Sequence, residues 1–186
     1  LRNMEESSRW YPGAGIYHPI KLVLYPTLSI DPWGMFVRTI EADSLSARLA
    51  IDAQLQGFEG RDNLAIEVSV LNAKGWVERA CHATVDAQGR WHGEITLPEP
   101  RLWSPETPYL YDIETRLYQD NKLVDRIVTR SGVRTISVDS IHGFRLNGVS
   151  RKFKGVCLHH DLGPLGAAVN KAALIRQIKM MKAMGC

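Results

Sequence analysis

The chain has 186 residues, 45% of them hydrophobic, with a formal net charge of +3 from 23 basic and 20 acidic side chains. That is the composition of a folded globular protein, and the charges are spread along the chain without the basic block that binds a phosphate backbone, so nucleic acid is excluded as an expected partner. No apolar run approaches the roughly 20 residues of a membrane-spanning helix, and Cys81, Cys157 and Cys186 make neither a CxxC pair nor a disulfide framework.

From Leu1 a polar lead runs into Arg9-Trp10-Tyr11-Pro12-Gly13-Ala14-Gly15-Ile16-Tyr17, an aromatic-flanked turn, and then into the strand-like run Ile20–Tyr25. The chain has no initiator Met and reads as an excised piece of a longer protein. Pro26 to Trp33 supplies the proline-containing chemistry of a boundary.

From Met35 to Arg130 the pattern is all β. Leu49, Ile51, Ala53 and Leu55 alternate with Arg48, Ala50, Asp52 and Gln54, and Leu64, Ile66, Val68 and Val70 alternate with Ala65, Glu67 and Ser69. Each is a strand with one buried and one wet face. Further strands are predicted over Met35–Ile40, Trp76–Val85, Trp91–Leu97, Tyr109–Tyr118 and Leu123–Thr129, the last two joined through Asp120-Asn121. About seven strands over about a hundred residues match the size and spacing of an immunoglobulin-like β-sandwich, without the disulfide and tryptophan of antibody domains. Four prolines between Leu97 and Tyr111 exclude a central strand there. That stretch is predicted to cross one end of the sandwich, pinned by Leu102 and Trp103.

Gly132–Asp139 leads to a hairpin at Asn147-Gly148, and Arg151–Leu158 reads as a buried strand offering Phe153, Val156 and Leu158. His159, His160 and Asp161 follow directly, then a Gly163-Pro164-Leu165-Gly166 loop and an amphipathic helix capped by Asn170, with Leu174, Ile178 and Met181 on one face. A polar cluster at the carboxyl end of a strand, before a loop and a helix, is where α/β enzymes keep their chemistry.

Four stretches, in order, resemble the family-two glycoside hydrolases, which include β-galactosidases, β-glucuronidases and β-mannosidases. They are Ser8–Tyr17, Leu102–Tyr111, Gly132–Thr135 with Phe144–Gly148, and Lys154–Asp161. The wording Cys157-Leu-His-His-Asp161 looks most like a bacterial β-galactosidase branch. His18 and Cys157 depart from the family's usual Arg and Asn. The resemblance implies the tail of a jelly-roll sugar-binding domain over residues 1–25 and an immunoglobulin-like sandwich over 26–138. Residues 139–186 would then start a catalytic β/α barrel with its first strand and helix. It also implies a retaining mechanism with two glutamates about 5 Å apart, both on later barrel strands and neither in this chain. The implied partners are the parent's carbohydrate substrate and its own sugar-binding and barrel domains, and a homo-oligomeric parent is compatible with it.

By the same resemblance His159 belongs in the parent's sugar pocket, where imidazole can hydrogen-bond hydroxyls, with His160 and Asp161 as neighbours. Adjacent strand residues point to opposite faces, so one histidine is expected to face the pocket. The alternative is that the three satisfy only one another. A metal is not expected, because His-His-Asp lacks a distant further ligand, and no organic cofactor is implied. Glu67, Asp112 and Glu114 fall on the outward phase of their strands, which argues against catalytic carboxylates. Trp76, Trp91 and Trp103 are expected in the core. A rival reading keeps the sandwich as a free-standing carbohydrate-binding or adhesive module that uses surface tryptophans.

Overall fold

Alternation along the strands sets two faces, and the buried faces meet. In the computed structural model, which describes residues 16, 18–159, 162–166, 168 and 170–186, β1 (Ser29–Ala42), β2 (Ser46–Gln56) and β5 (Arg90–Pro98) form one antiparallel sheet in the order β1-β2-β5. The second sheet is ordered β4-β3-β6-β7, from β3 (Leu64–Leu71), β4 (Val77–Thr84), β6 (Tyr111–Gln119) and β7 (Lys122–Ser131). Leu49, Ile51, Ile95 and Leu97 from the first sheet join Ile66, Val68, Ile113 and Leu117 from the second in one core. The molecule is mainly β, as expected, and its fourth strand pairs with the third. An antibody constant domain places that strand beside the fifth, on the opposite sheet.

The turns follow from residue chemistry. Asp120 and Asn121, like Asn147 and Gly148, both take positive φ, the backbone that a two-residue hairpin matched to strand twist requires. At β1 the ladder breaks between Ile30 and Met35. Gly34 lies so close to β2 there that a Cβ would sit 2.6 Å from the Gln54 carbonyl oxygen. The bulge leaves Trp33 96% exposed.

The described residues divide into two compact units. One is Leu24–Arg151, and the other consists of described residues on either side of it. Beyond the sandwich, the first unit contains a small antiparallel sheet, β10-β9-β8, built from β8 (Ile136–Asp139), β9 (Gly143–Leu146) and β10 (Val149–Ser150). The second unit contains α1 (Lys171–Ala183), whose N-cap Asn170 accepts the Ala173 N–H at 3.0 Å as its position predicts.

Several expectations need correction. The strand read over Arg151–Leu158 is not formed: residues 151–159 carry no regular secondary structure, and Phe153 is 79% exposed. An apolar run becomes a strand only when a neighbour takes its backbone groups, and no described strand pairs with it. The Ile20–Tyr25 run is likewise irregular and exposed, for the same reason. Trp91 is buried as expected, but Trp76 is 67% exposed, at the turn before β4, with the Lys74 ammonium 5.2 Å from its ring. Glu114 is on the outward phase and yet buried, because arginines lie over it.

Candidate functional site

Of the three residues expected in a sugar pocket, His160 and Asp161 lie outside the described residues. His159 is exposed within the irregular 151–159 segment and lines none of the grooves described below. Among the described residues no group of three or more His, Cys, Asp or Glu side chains is placed to hold a metal ion.

Side chains do converge where the proline-rich crossover meets the strands that follow β7. Trp103 donates its backbone N–H to the Val133 carbonyl at 2.8 Å. Its indole lies on Gly132, where any Cβ would come within 2.8 Å of the ring, and the Arg134 guanidinium sits 5.1 Å from the ring centre. Asn147 closes the arrangement. Its Nδ2 donates to the Trp103 carbonyl at 3.0 Å, its Oδ1 accepts from the Thr135 N–H at 3.0 Å, and its own N–H donates to the Thr135 carbonyl at 2.9 Å. Two of the four stretches quoted from the sequence, Leu102–Tyr111 and Gly132–Thr135 with Phe144–Gly148, thus meet through one amide. Sequence reasoning assigned Asn147 only to its turn, and no local pattern carries its second role, because Trp103 lies 44 residues away.

Beside this knot, Arg151 holds Glu106 in a two-pronged pair at 2.6 and 2.9 Å. That pair, with the backbone N–H of Glu106 itself and the Ser104 hydroxyl, lowers the Glu106 carboxyl to about 2. On the outer face of the second sheet, Glu114 accepts from Arg116 Nε at 2.6 Å and Arg126 Nε at 2.9 Å. The hydrogen bond from Arg126 lowers its pKa most, against the opposing effect of burial, with Arg116 adding to the lowering. Asp43, Asp86 and Asp139 are also held low, chiefly by backbone N–H donors. A general acid in glycoside cleavage needs the reverse, a carboxyl raised by an apolar site. These five side chains are therefore fixed as anions and suit structure rather than proton donation.

Two of the shallow grooves on the sandwich lie near the sheet face and the crossover. One, of about 460 Å³, crosses the outer face of the three-stranded sheet between Gly34, Asp52, Gln54, Asp86, Arg90 and His92. The other, of about 310 Å³, lies near the crossover between Asn72, Trp76, Glu78, Arg101 and Tyr109, where the Arg101 guanidinium stacks 4.3 Å from the Tyr109 ring.

Residues 30–134 match the model of the glycosyl hydrolases family 2. Along 98% of its length the chain is 35% identical to a β-galactosidase of Bacteroides ovatus, covering 22% of that protein. Its fold superposes on a β-glycosidase of Bacteroides vulgatus with a TM-score of 0.84 at 30% identity, over 95% of this chain and 22% of that one. A β-glucuronidase of Bacteroides uniformis gives 0.71 at 25% identity, over 87% and 21%. The chain spans about a fifth of the length of each of these relatives.

Proposed function

The chain belongs to family 2 of the glycosyl hydrolases, and from that membership we propose that it is a non-catalytic part of a retaining β-glycosidase of β-galactosidase type. The observation that carries this reading is the 35% identity to a β-galactosidase along nearly the whole chain. In this reading residues 1–25 end a jelly-roll sugar-binding domain, 26–138 form an immunoglobulin-like sandwich, and 139–186 begin a β/α barrel. The two glutamates lie elsewhere in the complete protein, about 5 Å apart for retention of configuration. One protonates the leaving oxygen while the other attacks the anomeric carbon.

The sandwich acts by orientation. Placement errors of about 1 Å can cost a hundredfold in rate, and the Trp103–Asn147 knot gives the chain leaving the sandwich one fixed path. His159 lines the sugar pocket and hydrogen-bonds a substrate hydroxyl, with His160 and Asp161 beside it.

The test is made on the complete protein with aryl β-galactoside and aryl β-glucuronide. Hydrolysis of the galactoside is expected to dominate, and His159→Ala is expected to lower its kcat/KM by about 10²-fold without changing thermal stability. Failure to cleave either glycoside sinks the glycosidase reading, and an unchanged kcat/KM in the variant sinks only the role of His159. The 186-residue chain alone is expected to turn over neither substrate.

A further inference from the structure

We propose that the outer face of the three-stranded sheet carries a binding groove for a neutral saccharide, with Trp33 and Phe36 as its aromatic platform and Asp52, Gln54 and His92 as its polar floor. The β1 bulge is the first reason. Asp31 to Gly34 leave the ladder, and Gly34 presses against β2 so closely that no side chain fits. Asp31 Oδ1 then accepts the Trp33 N–H at 3.3 Å, and Trp33, which precedes the groove residue Gly34, is left almost fully exposed. Bulges of this kind re-aim a side chain next to a site. Where β1 rejoins the ladder, Phe36 stands directly across from Asp52, and Asp52 directly across from His92. These three therefore form one outward row, with Phe36 60% exposed.

The polar groups select the ligand class. His92 Nδ1 lies 2.6 Å from Asp52 Oδ1, and Arg90 of the groove is taken by Asp86 at 3.3 Å. An anionic ligand would meet the Asp52 and Asp86 carboxylates along the groove. The Gln54 amide nitrogen donates to the carbonyls of Leu55, Gln88 and Gly89, so what this side chain can offer a ligand is its acceptor oxygen. With the Thr84 hydroxyl and the His92 ring, this gives donors and acceptors in mixture, as sugar hydroxyls require. Two exposed aromatic rings offer flat apolar faces to the C–H side of a pyranose, and the volume falls within the range of small-ligand sites. Binding here needs only sandwich residues, so it stands or falls without the glycosidase reading.

The test is titration of the 186-residue chain with lactose, cellotetraose and glucuronate, read by amide and indole chemical shifts. Concentration-dependent shifts at Trp33, Gly34 and His92 are expected with the neutral sugars, at a Kd of about 1 mM, and at least tenfold weaker with glucuronate. Trp33→Ala and His92→Ala, made separately, should each weaken binding at least tenfold, the first without moving the unfolding midpoint, since its side chain is exposed. No shifts up to the solubility limit, a preference for glucuronate, or binding indifferent to both substitutions would each overturn the proposal. So would finding Trp33 shielded in the complete protein while the sugars leave the chain's spectrum unchanged, which would make this face a contact between domains.

Discussion

Gly132 works through the side chain it lacks. A methyl there would lie 2.8–2.9 Å from Cβ, Cγ and Cδ1 of Trp103. A rotamer change can carry Cγ and Cδ1 away but leaves Cβ in place at 2.9 Å, so it cannot clear the clash, and Gly132→Ala is expected to cost about 1–3 kcal/mol in urea unfolding. A loss below about 0.5 kcal/mol would mean that the crossover moves freely off the sheet. Asn147 is separable into two roles. Its φ of 51° favours Asn or Gly over Ala, while its amide ties Trp103 to Thr135. Asn147→Gly keeps the turn and loses the amide, at about 2 kcal/mol; Asn147→Ala adds backbone strain of about 1 kcal/mol. Wild-type stability in Asn147→Gly would show that the turn alone matters.

At the scale of elements, β6 shows how charge is built into a sheet. The Glu114 side chain is 6% exposed and shared by Arg116 and Arg126. Because its folded pKa is lowered, its contribution is complete above the unfolded value of about 4.3 and is lost as pH falls through the folded one. Glu114→Gln is expected to lose about 2 kcal/mol at pH 7, less than a fully buried pair because the arginines stay partly exposed. The gap to wild type should close in unfolding curves taken down to pH 2, and a gap that stays constant would assign the loss to packing. The sandwich strands were legible because each has one wet and one dry face, and the turns because few residues accept positive φ. The burial of Glu114 was not legible, since period 2 tells which face a residue takes but not what lies across it. The run Arg151–Leu158 misled for a related reason: its apolar content says that something buries it, and no partner strand stands among the described residues. Of the candidate site, His159 was legible only through family resemblance. The amide of Asn147 acts on a carbonyl 44 residues away, beyond any local pattern.

At the scale of the molecule, the compact unit that holds the sandwich runs to Arg151. The reason is visible in the bonds. β9 hydrogen-bonds β8, Asn147 reaches back to Trp103, and Arg151 donates its N–H to the Phe144 carbonyl and its guanidinium to Glu106. A chain ended after Arg151 is therefore expected to unfold with the same urea midpoint as all 186 residues. One ended after Val138 loses the Asn147 amide and the β8–β9 pairing together. Trp103 is then left with an unbonded carbonyl at a half-buried position, and the expected loss is at least about 3 kcal/mol. The Glu106–Arg151 pair is exposed and adds little of this, so Arg151→Ala in the longer chain should be nearly silent in 0.5 M salt. Equal midpoints for both truncations would confine the cooperative core to the two large sheets and make the small sheet a passenger. A drop only in the shorter chain would make that small sheet, with the knot beneath it, part of what holds the sandwich closed.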